Sequence, residues 1–168
     1  MSAYSSAVSR TDRASLVIDA PLCSAFDAFV NRAALEIWLP PDGMAAVFER
    51  FDPRPGGSYR LILTYEHSPE SGAKSSVDTD IVEARYVEIT QDERVVQEVD
   101  FVSDDPAFAG TMRMTWCVRP SDVGTCVEFI AEHVPDGISA EDHAVGMASS
   151  LENLAAYLEG STSSRVTR

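Results

Sequence analysis

The side chains best suited to nucleophilic or metal chemistry are scattered along this sequence. They are three histidines and three cysteines: His67, His133, His143, Cys23, Cys117 and Cys126. The histidines fall in a loop, at a strand end and in the first turn of a helix, and the cysteines lack the paired spacing of a zinc site. The chain also contains no P-loop, G-x-S-x-G elbow, H-E-x-x-H pair or dinucleotide fingerprint. We therefore expect no metal and no cofactor, and no catalytic motif is recognisable.

Four polar side chains lie on otherwise apolar strand faces and could act inside a dry pocket. Tyr59 and Tyr65 alternate along one predicted strand, Gln97 shares a face with Val99, and His133 ends another apolar face. A buried tyrosine hydroxyl needs a hydrogen-bond partner, and Tyr, Gln or His can also move a proton. Because no acid–base pair stands out, the sequence favours binding over catalysis.

The candidate ligand-binding residues combine these polar groups with apolar neighbours. Methionines suit a wall that adapts to several ligand shapes, although ordinary core packing is the alternative for every member. The candidates are Phe26, Trp38, Tyr59, Leu61, Leu63, Tyr65, Gln97, Val99, Met112, Met114, Trp116, Phe129, His133, Gly146, Met147, Ser150 and Leu151. Gly146 is included because glycine in a helix costs roughly 1 kcal/mol relative to alanine. Its missing side chain could leave room for a ligand or a bulky neighbour, or allow close packing against another element.

Two periodicities predict the elements that must position these residues. Alternating apolar residues indicate strands, and apolar residues three and four apart indicate helices. The predicted elements, in chain order, are a strand at 13–20, helices at 21–30 and 32–39, strands at 45–52, 58–66, 77–90, 94–102, 111–119 and 125–133, and a helix that follows Ser139. Asn31 and Ser139 are the predicted caps of the last two helices. Six consecutive strands with short turns predict an antiparallel meander.

Two strand registers stay open. Between residues 77 and 89, Glu83 and Arg85 point to one face of the predicted strand, and Ala84 and Tyr86 point to the other. Either face could be the inner one. Cys117 and Cys126 flank the predicted turn at 119–124, and a symmetric hairpin would make them cross-strand neighbours. Whether the two cysteines are adjacent depends on that register.

The closing helix carries a regular apolar stripe that needs a sheet to lie on. The stripe consists of Ala144, Met147, Ala148, Leu151, Leu154, Ala155 and Leu158. A curved antiparallel sheet of about seven strands wrapped around one long helix satisfies this requirement, which gives an α+β architecture. We expect one domain over residues 12–160, with flexible segments at 1–11 and 161–168.

The charge excludes one class of partner. The chain of 168 residues has a formal net charge of −14, and residues 14–160 alone hold 9 basic and 26 acidic side chains. Such a surface repels phosphate backbones, so we expect no nucleic-acid binding. No stretch approaches the run of about 18 apolar residues that spans a membrane, and no secretory signal is evident, so we expect a cytoplasmic protein that does not enter membranes.

Several segments, in this order and spacing, resemble one known superfamily. They are "IDAPLCSAFDAF" (18–29), "LEIWLPPDGM" (35–44), "FDPRPGGSYRL" (51–61), "YVEITQDERVV" (86–96), "MRMTWCVRPSDVGTCVEF" (112–129) and "DHAVGMASSLENLA" (142–155). The chain resembles the START-like or SRPBCC superfamily, also called birch-pollen-allergen-like, which has a helix-grip fold. Within it, the chain is most similar to the branch named for the C-terminal domain of the heat-shock-protein-90 ATPase activator homologue, which is often grouped with polyketide cyclases.

This resemblance implies a cavity between the sheet and the last helix that accepts a small apolar or aromatic molecule. Three functions from different classes follow from it: binding without conversion, a cyclase or dehydratase acting on an aromatic or polyketide-like substrate, and a co-chaperone of a heat-shock-protein-90-type ATPase with a role in the stress response. We favour the first, since the sequence offers no acid–base pair for the second. A homodimer and a protein partner both remain open.

Overall fold

Seven strands, three α-helices and a short 3-10 helix form the part of the chain that the computed structural model describes, residues 9–66 and 79–163. They are β1 (Thr11–Ile18), α1 (Leu22–Val30), α2 (Arg32–Trp38), β2 (Met44–Phe51), β3 (Ser58–Tyr65), β4 (Thr79–Thr90), β5 (Arg94–Phe101), the 3-10 helix (Pro106–Phe108), β6 (Met112–Ser121), β7 (Gly124–Glu132) and α3 (Ala140–Ser163). The predicted loop that contains His67, the start of the strand predicted at 77–90, and residues 1–8 and 164–168 lie outside the described residues.

The strands form one antiparallel sheet in the order β1-β7-β6-β5-β4-β3-β2. Strands β2 to β7 therefore pair in sequence order, and the predicted meander and the α+β fold class are confirmed. Each pair joins two strands that follow one another along the chain, which is the arrangement of an antiparallel meander. The strand β1 then pairs with β7 and places the chain start beside the closing hairpin.

Burial decides the register that the sequence left open in β4. Ala84 and Tyr86 are buried on the face that the helices cover, whereas Glu83 and Arg85 lie on the outer face. A β-bulge follows at Val87, and a second bulge interrupts β2 at Glu49. Because a bulge bends its strand and increases the local twist, the two irregularities help the sheet to curve.

The helix caps predicted from the sequence are present. The Asn31 side chain accepts a hydrogen bond from the Ala34 N–H at 2.9 Å, and the Ser139 hydroxyl oxygen accepts one from the Asp142 N–H at 3.0 Å. Both bonds satisfy backbone donors that the first turn of a helix leaves without a partner.

The buried face of α3 differs in part from the predicted stripe. Its buried side chains are Met147, Ser150, Leu151, Leu154 and Leu158. Ala144 and Ala148 were placed in the stripe but are exposed. The helix packs against both β1 and α2, so its buried face is turned toward Ser150, which the apolar pattern did not include in the stripe.

The bend between β2 and β3 is built from two glycines that contact β4. Gly56 has a positive φ of 84°, and a Cβ on Gly57 would lie 2.2 Å from the Asp52 carbonyl oxygen. The Gly56 N–H donates to the Tyr86 carbonyl and the Tyr86 N–H donates to the Gly57 carbonyl, both at 2.9 Å. The bend therefore pairs with β4 next to its bulge and holds the backbone of Tyr86.

Gly146 faces the turn after α2. A Cβ built on Gly146 would lie 4.0 Å from Pro41 Cγ, which is an ordinary van der Waals contact. The glycine thus lets α3 pass the proline turn, but the space would also hold a methyl group.

We expect Gly146→Ala to raise the free energy of unfolding by roughly 0.5–1 kcal/mol, because alanine has the higher helix propensity and its methyl group meets no obstacle. Urea denaturation measures this change. Gly57→Ala is the matched control and should destabilise the protein, since its Cβ would collide with the Asp52 carbonyl oxygen. A loss of stability in Gly146→Ala would show that α3 needs the closer approach.

Candidate functional site

A cavity lies between α2 and the inner face of the sheet. Its wall consists of Phe29, Leu35, Trp38, Leu39, Phe48, Tyr59, Tyr86, Gln97, Met114 and Trp116. Six of these ten residues are aromatic, none carries a charge, and none comes from α3. Every α-helix and strand from α1 to β6 contributes to the wall, so the cavity forms only when these strands of the meander and the first two helices are in place.

The cavity is narrow. The recess, counted out to its mouth, has a volume of about 310 Å³, but the space in which the centre of a water molecule can lie measures only about 20 Å³. One water needs roughly 10–15 Å³ by that measure. Leu39 and Met114 are the two wall residues that are only partly buried. The wall therefore closes around little more than one water molecule, and any larger occupant must displace Leu39, Met114 or α2.

Two tryptophans hold one side of the wall. The Trp38 and Trp116 rings meet edge to face, with centroids 5.1 Å apart, and Trp116 stacks on Phe129 at 4.0 Å. The Trp38 indole N–H donates to the Ala28 carbonyl at 3.0 Å. Aromatic pairs in such geometries stabilise by about 0.5–1.5 kcal/mol beyond the area they bury. This side of the cavity is thus fixed by packing and by a buried hydrogen bond.

Two tyrosines form the other side. The Tyr59 ring lies 5.3 Å from Phe48 and 5.6 Å from Tyr86, measured between centroids. Burial raises the pKa of both hydroxyls far above the ordinary value, and the negative charge of Asp52 adds to the rise at Tyr86. Both hydroxyls are therefore protonated at neutral pH, and the two tyrosines add no charge to the wall.

Gln97 is the amide in this wall. It is 7% exposed, and its Oε1 has no hydrogen-bond partner among residues 9–66 and 79–163. Gln97 pairs in register with Tyr86 on β4 and with Met114 on β6, and both neighbours also line the cavity. A buried polar atom left without a partner costs about 1–3 kcal/mol. The floor of the cavity therefore contains an amide whose acceptor is unsatisfied.

The cover of the cavity is α2 with the turn that follows it, and α3 holds this turn. The Ser150 hydroxyl donates to the Leu39 carbonyl at 2.7 Å, and the Asn153 amide donates to the Pro40 carbonyl at 3.0 Å. The Ser149 hydroxyl oxygen accepts from the Asp42 N–H at 2.9 Å. Three neighbouring side chains of one helix thus fasten three backbone groups of the turn.

On its other side α2 is fastened to the free edge of β2. The Phe48 N–H donates to the Glu36 carboxylate at 3.2 Å, and the Arg32 guanidinium donates to the Phe48 carbonyl. Arg32 and Glu36 also pair with each other along the helix at 3.2 Å. These side chains occupy the position that a further strand would take, which protects the sheet edge from pairing with another chain.

The structure brings five of the predicted site residues together in the cavity wall: Trp38, Tyr59, Gln97, Met114 and Trp116. Eight others pack elsewhere in or against the core: Phe26, Leu61, Leu63, Val99, Met112, Phe129, Met147 and Leu151. Among them, Met112 belongs to a separate apolar cluster with Ala131, Val134 and Ile138. The predicted cavity beside α3 is thus displaced toward α2, because α3 packs directly on β1 and α2.

The four remaining candidates lie apart from the cavity wall. The Tyr65 hydroxyl donates to the Asp80 carboxylate at 3.0 Å, and His133 is exposed with its ring 2.5 Å from the Ser9 hydroxyl. Gly146 faces Pro41, and Ser150 contacts the cover from outside.

Sequence reasoning missed five wall residues: Phe29, Leu35, Leu39, Phe48 and Tyr86. Trp38 and Leu39 follow Leu35 by three and four residues in the helix predicted at 32–39, and this helical spacing is the available signal for Leu35 and Leu39. Tyr86 lay in the strand whose register was open.

A second polar cluster ties α3 to β1, away from the cavity. The His143 Nδ1 lies 2.6 Å from the Asp12 carboxylate, which also accepts from Arg10 at 3.1 Å. Burial raises the pKa of Asp12, but the hydrogen bonds from His143 and Arg10 lower it more, so the pKa is below its ordinary value. The cluster therefore holds a carboxylate in its charged form at the start of α3.

Two kinds of site are not found in the described part of the chain. Residues 9–66 and 79–163 contain no group of three or more His, Cys, Asp and Glu residues that could hold a metal ion. Over the same ranges, no helix is both long enough and apolar enough to cross a membrane.

Cys117 pairs in register with Glu128 and Arg119 with Cys126, so the two cysteines are diagonal neighbours on the outer face.

Comparisons with known proteins agree with this architecture. A family model described as Activator of Hsp90 ATPase homolog 1-like protein matches residues 19–159. A solved structure from Chromobacterium violaceum is 30% identical, with a TM-score of 0.78, over 89% of this chain and 96% of that one. A second, from Rhodobacter sphaeroides, is 19% identical, with a TM-score of 0.71, over 89% and 93%. DynU16, a protein in the dynemicin biosynthetic locus, is 16% identical, with a TM-score of 0.61, over 89% and 47%. The comparison with curated proteins finds no match.

We expect Asp12→Asn to be less stable than the native protein at pH 7, by about 1–3 kcal/mol, because the variant loses hydrogen bonds to a charged group. The lowered folded-state pKa of Asp12 contributes stability above the ordinary aspartate value of about 3.9, and this stability is lost as the pH falls through the folded value. The difference should therefore shrink below about pH 4. Urea denaturation across pH measures it, with Asp27→Asn, an exposed carboxylate on α1, as control. A difference that does not change with pH would contradict this account.

Proposed function

Since the chain belongs to the family of Activator of Hsp90 ATPase homolog 1-like proteins, in the SRPBCC superfamily, we propose that it binds a small apolar or aromatic molecule in the cavity under α2 without converting it. The observation that carries this proposal is the wall itself, in which six aromatic rings surround one amide and no charged group is present. Pockets for small molecules are lined mainly by apolar and aromatic side chains with a few polar groups that fix orientation.

Binding requires the cover to move. An apolar cavity that takes up benzene measures about 150 Å³, whereas the free space here is about 20 Å³. The side chains of Leu39 and Met114 are partly exposed, so they can swing outward without leaving a buried void. The turn after α2 is fastened mainly by side-chain hydrogen bonds from α3, which cost less to break than a packed core. The ligand therefore enters by displacing the side chains of Leu39 and Met114 together with the turn after α2.

The wall does not support the alternative of a cyclase or dehydratase. General acid–base catalysis needs a group whose pKa lies near the working pH. Burial moves the pKa of Tyr59 and Tyr86 away from neutrality, and the amide of Gln97 does not titrate. The polar groups of the cavity are thus suited to orient a ligand and not to transfer its protons.

We expect a neutral aromatic probe such as 2-naphthol to raise the melting temperature in a saturable way, since a ligand at 100 times its Kd stabilises by about 2.7 kcal/mol. Leu39→Trp should lower the affinity at least about tenfold, because the larger ring fills the cavity. Ile37→Trp is the matched control, since Ile37 lies on the same helix but is 63% exposed. Equal affinities in the two variants would contradict binding under α2.

We expect the double variant Ser150→Ala, Asn153→Ala to bind 2-naphthol about tenfold faster. Each substitution removes one hydrogen bond that holds the turn after α2, and each bond is worth about 0.5–1.5 kcal/mol. Stopped-flow quenching of tryptophan fluorescence measures the association rate. Glu152→Ala, an exposed change between the two positions, is the control. An unchanged rate in a folded double variant would show that the turn is not the part that opens.

A further inference from the structure

The amide of Gln97 restricts what can occupy the cavity. Gln97 is 7% exposed, its Oε1 lacks a partner among the described residues, and it sits in the floor between Tyr86 and Met114. Buried side-chain amides are nearly always hydrogen-bonded in native proteins, and an exception calls for an explanation. An amide placed in an apolar wall is explained when a molecule in the cavity, either a water or a ligand that replaces it, supplies the missing hydrogen bond.

We infer that the ligand is a neutral aromatic molecule carrying a hydroxyl group, and that this hydroxyl bonds to the Gln97 amide. The inference rests on the proposed function, because it names the class of ligand that the same cavity accepts. The hydroxyl donates to Oε1, and its oxygen can also accept from Nε2, since a hydroxyl has one donor and two lone pairs. A phenol therefore matches the amide in either of its two orientations.

The absence of charge in the wall excludes charged groups as alternatives to the hydroxyl. A carboxylate or a phosphate would be buried in a wall without any cation, and the chain as a whole carries a formal charge of −14. An ammonium group would be buried in the same wall without any carboxylate. Burying an unpaired charge costs far more than burying a hydrogen-bonded hydroxyl. The polar group of the ligand is thus uncharged.

The sheet places the hydroxyl site at the centre of the floor. Tyr86, Gln97 and Met114 are register partners on β4, β5 and β6, and the bulge at Val87 directly follows the first of them. The Trp38 indole N–H is already bonded to Ala28, so that donor is not available to a ligand. Aromatic side chains flank the floor on both sides, which favours a planar ring standing on the amide.

The test compares two ligands of the same size that differ in one group, 2-naphthol and 2-methylnaphthalene. Binding of each is measured by isothermal titration to the native protein, to Gln97→Met and to Gln91→Met. Methionine resembles glutamine in length and cannot hydrogen-bond through an amide, so Gln97→Met fills the same space and should fold. Gln91 is exposed in the turn between β4 and β5, which makes Gln91→Met the matched control.

We expect the native protein and Gln91→Met to prefer 2-naphthol by about tenfold, since a hydrogen bond to a buried amide is worth about that factor. Gln97→Met should lose this preference while binding 2-methylnaphthalene at least as tightly as the native protein. Equal affinities for the two ligands in the native protein, or a preference that persists in Gln97→Met, would overturn the inference and leave the binding function standing. If neither ligand binds the native protein, the binding function fails and this inference fails with it.

Discussion

The placement of Trp38 is the constraint on which the rest of the molecule depends. Its indole N–H bonds to Ala28 in α1, its ring meets Trp116 on β6, and its side chain is fully buried. One residue of α2 thus joins the first helix, the second helix and the sheet. The same ring forms part of the cavity wall, so the packing that stabilises the fold also sets the free space at the site.

Two irregular features of the backbone lie next to that site. The bend at Gly56 and Gly57 bonds to the backbone of Tyr86, and the bulge at Val87 follows at once. Bulges are frequent where a sheet must aim a side chain or end a regular pairing. Here they hold Tyr86 beside Gln97 at the point where the inner face carries its unsatisfied amide. The regular parts of the sheet provide stability, and the irregular part shapes the floor of the cavity.

Charge is separated from the cavity by the pleat of the sheet. The outer face carries ion pairs between neighbouring strands, such as Arg60 with Glu83 and Arg85 with Glu98. Exposed pairs of this kind contribute little to stability, typically about 0–1 kcal/mol. Their value is that every second residue can be charged while the cavity wall stays neutral. A strongly acidic protein therefore keeps an uncharged cavity wall that suits a neutral ligand.

The amino-acid sequence by itself determined the order of the elements, the helix caps at Asn31 and Ser139 and the antiparallel meander, because these depend on local periodicity and on short turns. It also indicated Tyr59 and Gln97 as polar groups on inner faces. Local patterns could not tell which inward-facing residues of a strand lie under α2. Tyr59 and Tyr65 alternate along the same strand, but Tyr59 lines the cavity whereas the Tyr65 hydroxyl donates to Asp80. Tertiary packing decided which residues lie under α2, that Tyr86 faces inward, and how small the cavity is. All three depend on contacts between elements that are distant in the sequence.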